Sequence, residues 1–124
     1  MQAPRFATVI ATLAVGPACP AGDPDVTLEL QAPLTADAQI DPAGYAAASA
    51  YCGARRLRAG QPDGSFGLVR LEEGWALRME TAEDGPVWPL DVRLLRPGEY
   101  LTVHRPDGAA LTFLVVNVEF PESA

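Results

Sequence analysis

From Pro62 onward the chain repeats one pattern that leaves few folds open. Short segments of alternating apolar and polar residues are cut by turn residues every 8 to 13 positions. Alternation with period two puts one set of side chains on each face of an extended strand. "SFGLVRL" ends at Glu72-Glu73-Gly74, and "WALRME" sets Trp75, Leu77 and Met79 against Ala76, Arg78 and Glu80. "LDVRLL" sets Leu90, Val92 and Leu94 against Asp91, Arg93 and Leu95, and stops at "RPGE". "YLTVHR" then leads through Pro-Asp-Gly into "LTFLVVNVEF". Strands with this spacing belong to an antiparallel meander, a sandwich or a small barrel.

The first half is compatible with the same class. "VTLELQ" alternates Val26, Leu28 and Leu30 with Thr27, Glu29 and Gln31, as a half-buried strand does. "DPAGYAAASAYCG" carries most of the helix signals: Asp41 to cap, Pro42 for the first position, alanines within, and Gly53 to terminate. One short helix is predicted over 42–52, with Tyr45, Ala48 and Cys52 on one face. Pro-Asp-Gly recurs at 62–64 and 106–108, and each copy is read as a hairpin turn. The N-terminal stretch admits two readings. Arg5 followed by an apolar run to Val15 outlines a secretory signal over residues 1–21. The β-branched Thr8, Val9, Ile10 and Thr12 instead suit a first strand followed by a loop, which is the favoured reading.

The expected fold is therefore mainly β: a single-domain antiparallel β-sandwich or small barrel over residues 1–124, with six to eight strands and one short helix. The expected core is Leu28, Leu30, Leu68, Trp75, Leu77, Leu90, Val92, Leu101, Val103, Leu114, Val116 and Val118. A chain of 124 residues is large enough to bury such a core.

Composition narrows the partners. A net charge of −7 argues against nucleic acid, whose phosphates require clustered positive charge, and suits solubility or docking on a basic protein surface. The 9 basic residues are all arginine, the usage of a GC-rich bacterial genome. Arg55, Arg56 and Arg58 in "GARRLRAG" are the one basic cluster; they are read as a solvated turn paired with acids, with an anion grip as the sharper alternative. The ten-residue apolar run is too short to span a membrane, so no membrane insertion is expected. Two cysteines, Cys19 and Cys52, make no zinc site with a lone histidine, and they are expected to be unbonded to each other.

Catalytic chemistry finds little to work with. In "YLTVHR", His104 shares a face with Tyr100 and Thr102, two residues before a turn, and is read as a rim residue of a hairpin. Ser49, Ser65 and Ser123 lack a nucleophile-elbow context. The paired acids Glu72-Glu73 and Glu83-Asp84 fall in predicted turns, with no sign of the cleft a glycosidase requires. "RPGEYLTVHRPDG" resembles the Pro-Gly turn of cupin barrels, but a metal-binding cupin needs several histidines and this chain has one. No Walker A, GxGxxG, HExxH or EF-hand pattern occurs. No cofactor and no metal is expected.

The leading expectation is a non-enzymatic structural or protein-docking β-module, a small subunit of a larger assembly such as a phage-like particle (virion), a secretion machine or an enzyme complex. It would be cytoplasmic or held within the particle, with other protein subunits or its own copies as partners. An exported, periplasmic ligand- or polysaccharide-binding domain is the alternative, and a small hydrolase using His104 comes third. The expected partner-binding residues are Trp88 and Pro89, placed on an edge strand or in a loop by the proline, with Leu111, Phe113 and Val115 on the second apolar face of the last strand, and Arg55, Arg56 and Arg58.

Overall fold

The computed structural model describes residues 5–14, 22–72, 74–80 and 85–120, apart from the side chains of Arg5 and Pro24. Eight strands follow one another: β1 (Arg5–Leu13), β2 (Asp23–Leu34), β3 (Gly53–Arg58), β4 (Gln61–Leu71), β5 (Gly74–Met79), β6 (Trp88–Val92), β7 (Tyr100–His104) and β8 (Ala110–Glu119). Each pairs antiparallel with the next, and β8 returns to pair with β1, so the sheet closes into a barrel. The mainly β fold with one short helix is thus the small-barrel form of the expected class. The apolar run from Phe6 forms β1, as the first-strand reading requires. The order is an uninterrupted meander, unlike the double Greek key of a cupin.

Closure explains how so short a chain satisfies its backbone. Each strand finds a ladder partner on both sides, which removes the exposed edges that an open sheet must protect. Eight strands enclose a space that side chains can just fill. Ala7, Val9 and Ala11 fill it from β1, and Leu28, Leu30 and Ala32 from β2. Ala54 adds to it from β3, and Phe66, Leu68, Leu77, Leu90, Leu101, Val103, Phe113 and Val115 from β4 to β8. The mixture of alanine with leucine and phenylalanine lets one taper accept both narrow and wide residues.

The helix is α1 (Pro42–Ala48), followed by a single 3-10 turn at Ser49–Tyr51. Asp41 caps it as expected, its carboxylate accepting from the Ala43 and Gly44 amides at 2.9 and 3.2 Å. The segment packs over the barrel end where β4 passes into β5. There the Tyr45 hydroxyl donates to the Leu68 carbonyl at 2.8 Å, and its ring meets Trp75 edge-on at 5.1 Å. Leu95, buried in the loop after β6, ties this cap to the barrel by donating its amide to the Ala38 carbonyl.

Several local expectations are corrected. Arg55, Arg56 and Arg58 lie in β3 and not in a turn, because the reversal is made one step later by Ala59 and Gly60, both at positive φ. The first Pro-Asp-Gly is part of β4. Leu57 pairs with Pro62 and Arg56 with Gly64, so Asp63 is the extra residue of a bulge. Only the second copy turns the chain, with Gly108 at positive φ and Asp107 accepting from the Ala109 amide at 3.0 Å. Pro89 does not mark an edge, since β6 pairs with β5 and β7.

The largest correction concerns β8. Its inward residues are Phe113 and Val115, 2% and 1% exposed, while Leu114 is half-buried and Val116 is 47% exposed. Both faces of "LTFLVVNVEF" are apolar, so alternation could not choose between them. The pairing decides: Val115 lies opposite the buried Ala11, and a register shift then brings Val118 opposite Val9. Val116 is left at the bulge, facing out.

Candidate functional site

Sequence-predicted partner residues do not converge on one surface. Phe113 and Val115 are interior and offer nothing to a partner. Leu111 is half-buried and packs against the core. Trp88 is also half-buried: its ring meets Phe66 edge-on at 5.1 Å, so it is committed to packing instead of standing out as an anchor. Pro89 is exposed on the outside, opposite Ala76.

The three arginines are paired with acids. Arg55 donates through Nε to Glu29 Oε1 at 2.9 Å, and its Nη2 is equally close. Arg56 Nη2 donates to the Asp63 carbonyl at 3.1 Å, and its Nε lies 3.4 Å from Asp63 Oδ2. That Nε is buried without an aligned hydrogen bond, so the contact with Asp63 is charge proximity alone. Arg58 reaches Asp63 at 3.6 Å and Asp23 at 4.0 Å. Exposed pairs of this kind contribute about 0–1 kcal/mol each. Their chemical consequence is larger: the cluster is locally neutralised, so it is no ready grip for an anion.

What the barrel does present is a groove of about 860 Å³ on the outer face of the first four strands. Its floor is built from outward positions that the register aligns: Thr8 beside Gln31 and Gln31 beside Gly53, then Glu29 beside Arg55 and Arg55 beside Ser65. Phe6 lines it from β1, while Ala48, Ala50 and Tyr51 form a wall from the end of α1 and the 3-10 turn. Tyr51 is 75% exposed, an aromatic ring held by the 3-10 turn. Glu80 also lines it and has no ion-pair partner among the described residues.

Gly53 makes this floor low. It faces Gly67 across β3 and β4, so the row carries no side chain at two successive strands. A Cβ on Gly53 would collide with the Phe66 carbonyl. Cys52 borders the groove as a free, buried thiol whose Sγ lies 3.4 Å from the Ala48 carbonyl, and burial pushes its pKa up. Cys19, and with it the expectation that the two are not bonded, lies outside the described residues.

The sequence signalled only part of this groove. Arg55 was among its expected partner residues, but the wall formed by Tyr51 was legible only as the end of a helix. Elsewhere, His104 is half-buried at the end of β7, with Ser65 on β4 and Ser49 in the 3-10 turn. Ser123, Glu73, Glu83 and Asp84 lie outside the described residues. Among the described residues no group of three or more His, Cys, Asp or Glu could hold a metal ion, and no helix is long and apolar enough to cross a membrane. No family model, no curated protein and no solved structure matches the chain.

Proposed function

We propose that this chain is a non-enzymatic docking module, a small subunit of a larger assembly, which seats an extended segment of a partner protein in the groove across β1–β4. The observation that carries the reading is the groove itself: an aromatic and alanine wall beside a polar floor, with the glycine row leaving room for another backbone. Because the barrel is closed, a partner cannot add a strand to an edge and must be held by side chains. Phe6 and Tyr51 would take apolar side chains of the segment. Glu80, in a chain of net charge −7, favours a basic residue beside them.

The test uses a library of ten-residue peptides in which apolar residues alternate with arginine or lysine, titrated into isotopically labelled protein. Amide shifts confined to Thr8, Gln31, Gly53 and Ser65, lost in Tyr51→Ser, are the expected result. Absence of binding across the library, or binding that ignores Tyr51→Ser, overturns the reading. One observation favours a second reading, an exported saccharide-binding domain: the exposed Tyr51 ring lines the same groove as hydroxyl, amide and carboxylate groups, the residue types that stack on and bond a sugar. Oligosaccharides producing those shifts where the peptides do not would select it.

A further inference from the structure

Arg78 stands on the outer face of β5 with nothing to answer its charge. The chain has 16 acidic residues to 9 basic, more than enough to pair every arginine. Arg55, Arg56, Arg58, Arg96 and Arg105 are paired with acids, and Arg70 lies 5.8 Å from the centre of the Trp75 ring. Arg93 is exposed, so water answers it. Arg78 is half-buried and has no ion pair among the described residues, and its Nε is buried with no hydrogen-bond partner. A guanidinium held in this way has lost hydration and gained nothing in exchange. Only Nε is shut in, so the Nη edge is the side of the fork open to a ligand.

The neighbouring strands leave room for one. Across the ladder on β4 the partner of Arg78 is Gly67, where an added Cβ would meet no atom within 4 Å. Gly67 adjoins Gly53, so an open strip runs from Arg78 back to the groove floor. On the other side the β5–β6 pairing ends at Leu77 and Trp88, one residue short of Arg78. Glu80 follows two residues on. Its amide donates to the Ser65 carbonyl at 3.1 Å, so the backbone still runs beside β4 and brings Glu80 to the groove. Two residues of extended chain span about 7 Å. The outer face thus carries an unpaired cation and an unpaired anion at that repeat.

We infer that Arg78 and Glu80 together read two opposite charges, two residues apart, on the segment seated in the groove: a carboxylate side chain at the Arg78 Nη edge and a lysine or arginine at Glu80. The inference rests on the docking reading and adds the acid, which that reading does not require. An extended segment presents residues i and i+2 on one face at the same spacing, so it reaches both contacts without bending. Arginine holds a carboxylate through two parallel N–H donors. The net charge of −7 makes the acid diagnostic, because the rest of the protein repels an added carboxylate.

The test uses ten-residue peptides of alternating valine and threonine that carry one lysine, with glutamine or glutamate two residues to either side of it. They are titrated into the full chain at about 0.15 M salt. Glutamate on one side, set by the direction in which the segment runs, is expected to bind about tenfold more tightly than glutamine there, the gain of a charge-assisted hydrogen bond. Arg78→Met keeps the stem and removes the charge, so it should erase that gain and bind the glutamine peptide as the parent does. Gly67→Glu supplies a carboxylate on the cross-strand neighbour. Its urea midpoint should exceed that of Gly67→Gln, and Arg78→Met should cancel the difference. Binding of the glutamine peptide with no gain from glutamate on either side, or a gain that survives Arg78→Met, overturns the inference and leaves the docking reading standing. A Gly67→Glu midpoint no higher than that of Gly67→Gln also overturns it, by showing that the guanidinium takes no carboxylate there. If none of the peptides binds, the docking reading falls and this inference falls with it.

Discussion

Gly53 shows how much one missing side chain can decide. Its Cα lies so close to the β4 backbone that an added Cβ would strike the Phe66 carbonyl, which cannot swing aside as a flexible side chain would. Gly53→Ala must therefore part β3 from β4 locally. The expected cost is about 1–3 kcal/mol, the usual range for overpacking, read as a fall in the urea midpoint without a change in slope. Cys52 tests burial at the same border of the groove. Its pKa is raised from the ordinary 9.0 because the thiolate would lose hydration. In a Cys19→Ser background, iodoacetamide at pH 8 should alkylate Cys52 in the folded protein more slowly than in the urea-unfolded chain. The sign of the stability effect follows from proton retention. Above the unfolded value, the unfolded chain loses a proton that the folded chain keeps, so stability falls as pH rises past about 9, and Cys52→Ala should flatten that fall.

Among the elements, the helix depends on local chemistry and the last strand does not. Asp41 accepts from two amides at the start of α1, and Asp41→Ala should cost about 1 kcal/mol. Tyr45→Phe should cost a similar amount, since it leaves the Leu68 carbonyl without its hydroxyl donor. Both losses are measurable by urea denaturation and should loosen the cap over the barrel end. β8 separates its two faces more sharply. Phe113→Glu puts a carboxylate in a closed apolar interior and is expected to unfold the chain, with loss of the β-sheet spectrum. Pro89→Glu, on the outside of β6, should leave the spectrum and midpoint nearly unchanged. The two results together check which side of each strand is the inside.

For the whole molecule, the decisive event is closure. Seven of the eight strand pairings join sequence neighbours, but the seam joins Thr8 to Glu119 across nearly the whole chain. Loop-closure entropy must be spent before that pairing returns anything, so the seam should form after the meander. Val115→Ala, which thins the seam opposite Ala11, is expected to speed unfolding several-fold while leaving the folding rate almost unaltered. Stopped-flow chevrons would show it as a shift of the unfolding limb alone.

What the sequence determined by itself were features fixed within a few residues. The period-two runs and turn residues announced strands, and Asp41-Pro42 announced the start of a helix. The pairing of the arginines with acids was read correctly, but the strand that carries them was read as a turn, and only Asp63 is near in sequence: Glu29 and Asp23 are brought in by the β2–β3 pairing. Tertiary structure alone decided which face of β8 is inside, because apolar residues on both faces give alternation no phase until β1 supplies a partner. It also decided that Pro-Asp-Gly is a bulge at 62–64 and a turn at 106–108, since the adjoining Ala59-Gly60 reverses the chain first. The groove belongs to the same class. Its floor is assembled from residues far apart in sequence, brought level by strand register, and neither composition nor period carries register between strands.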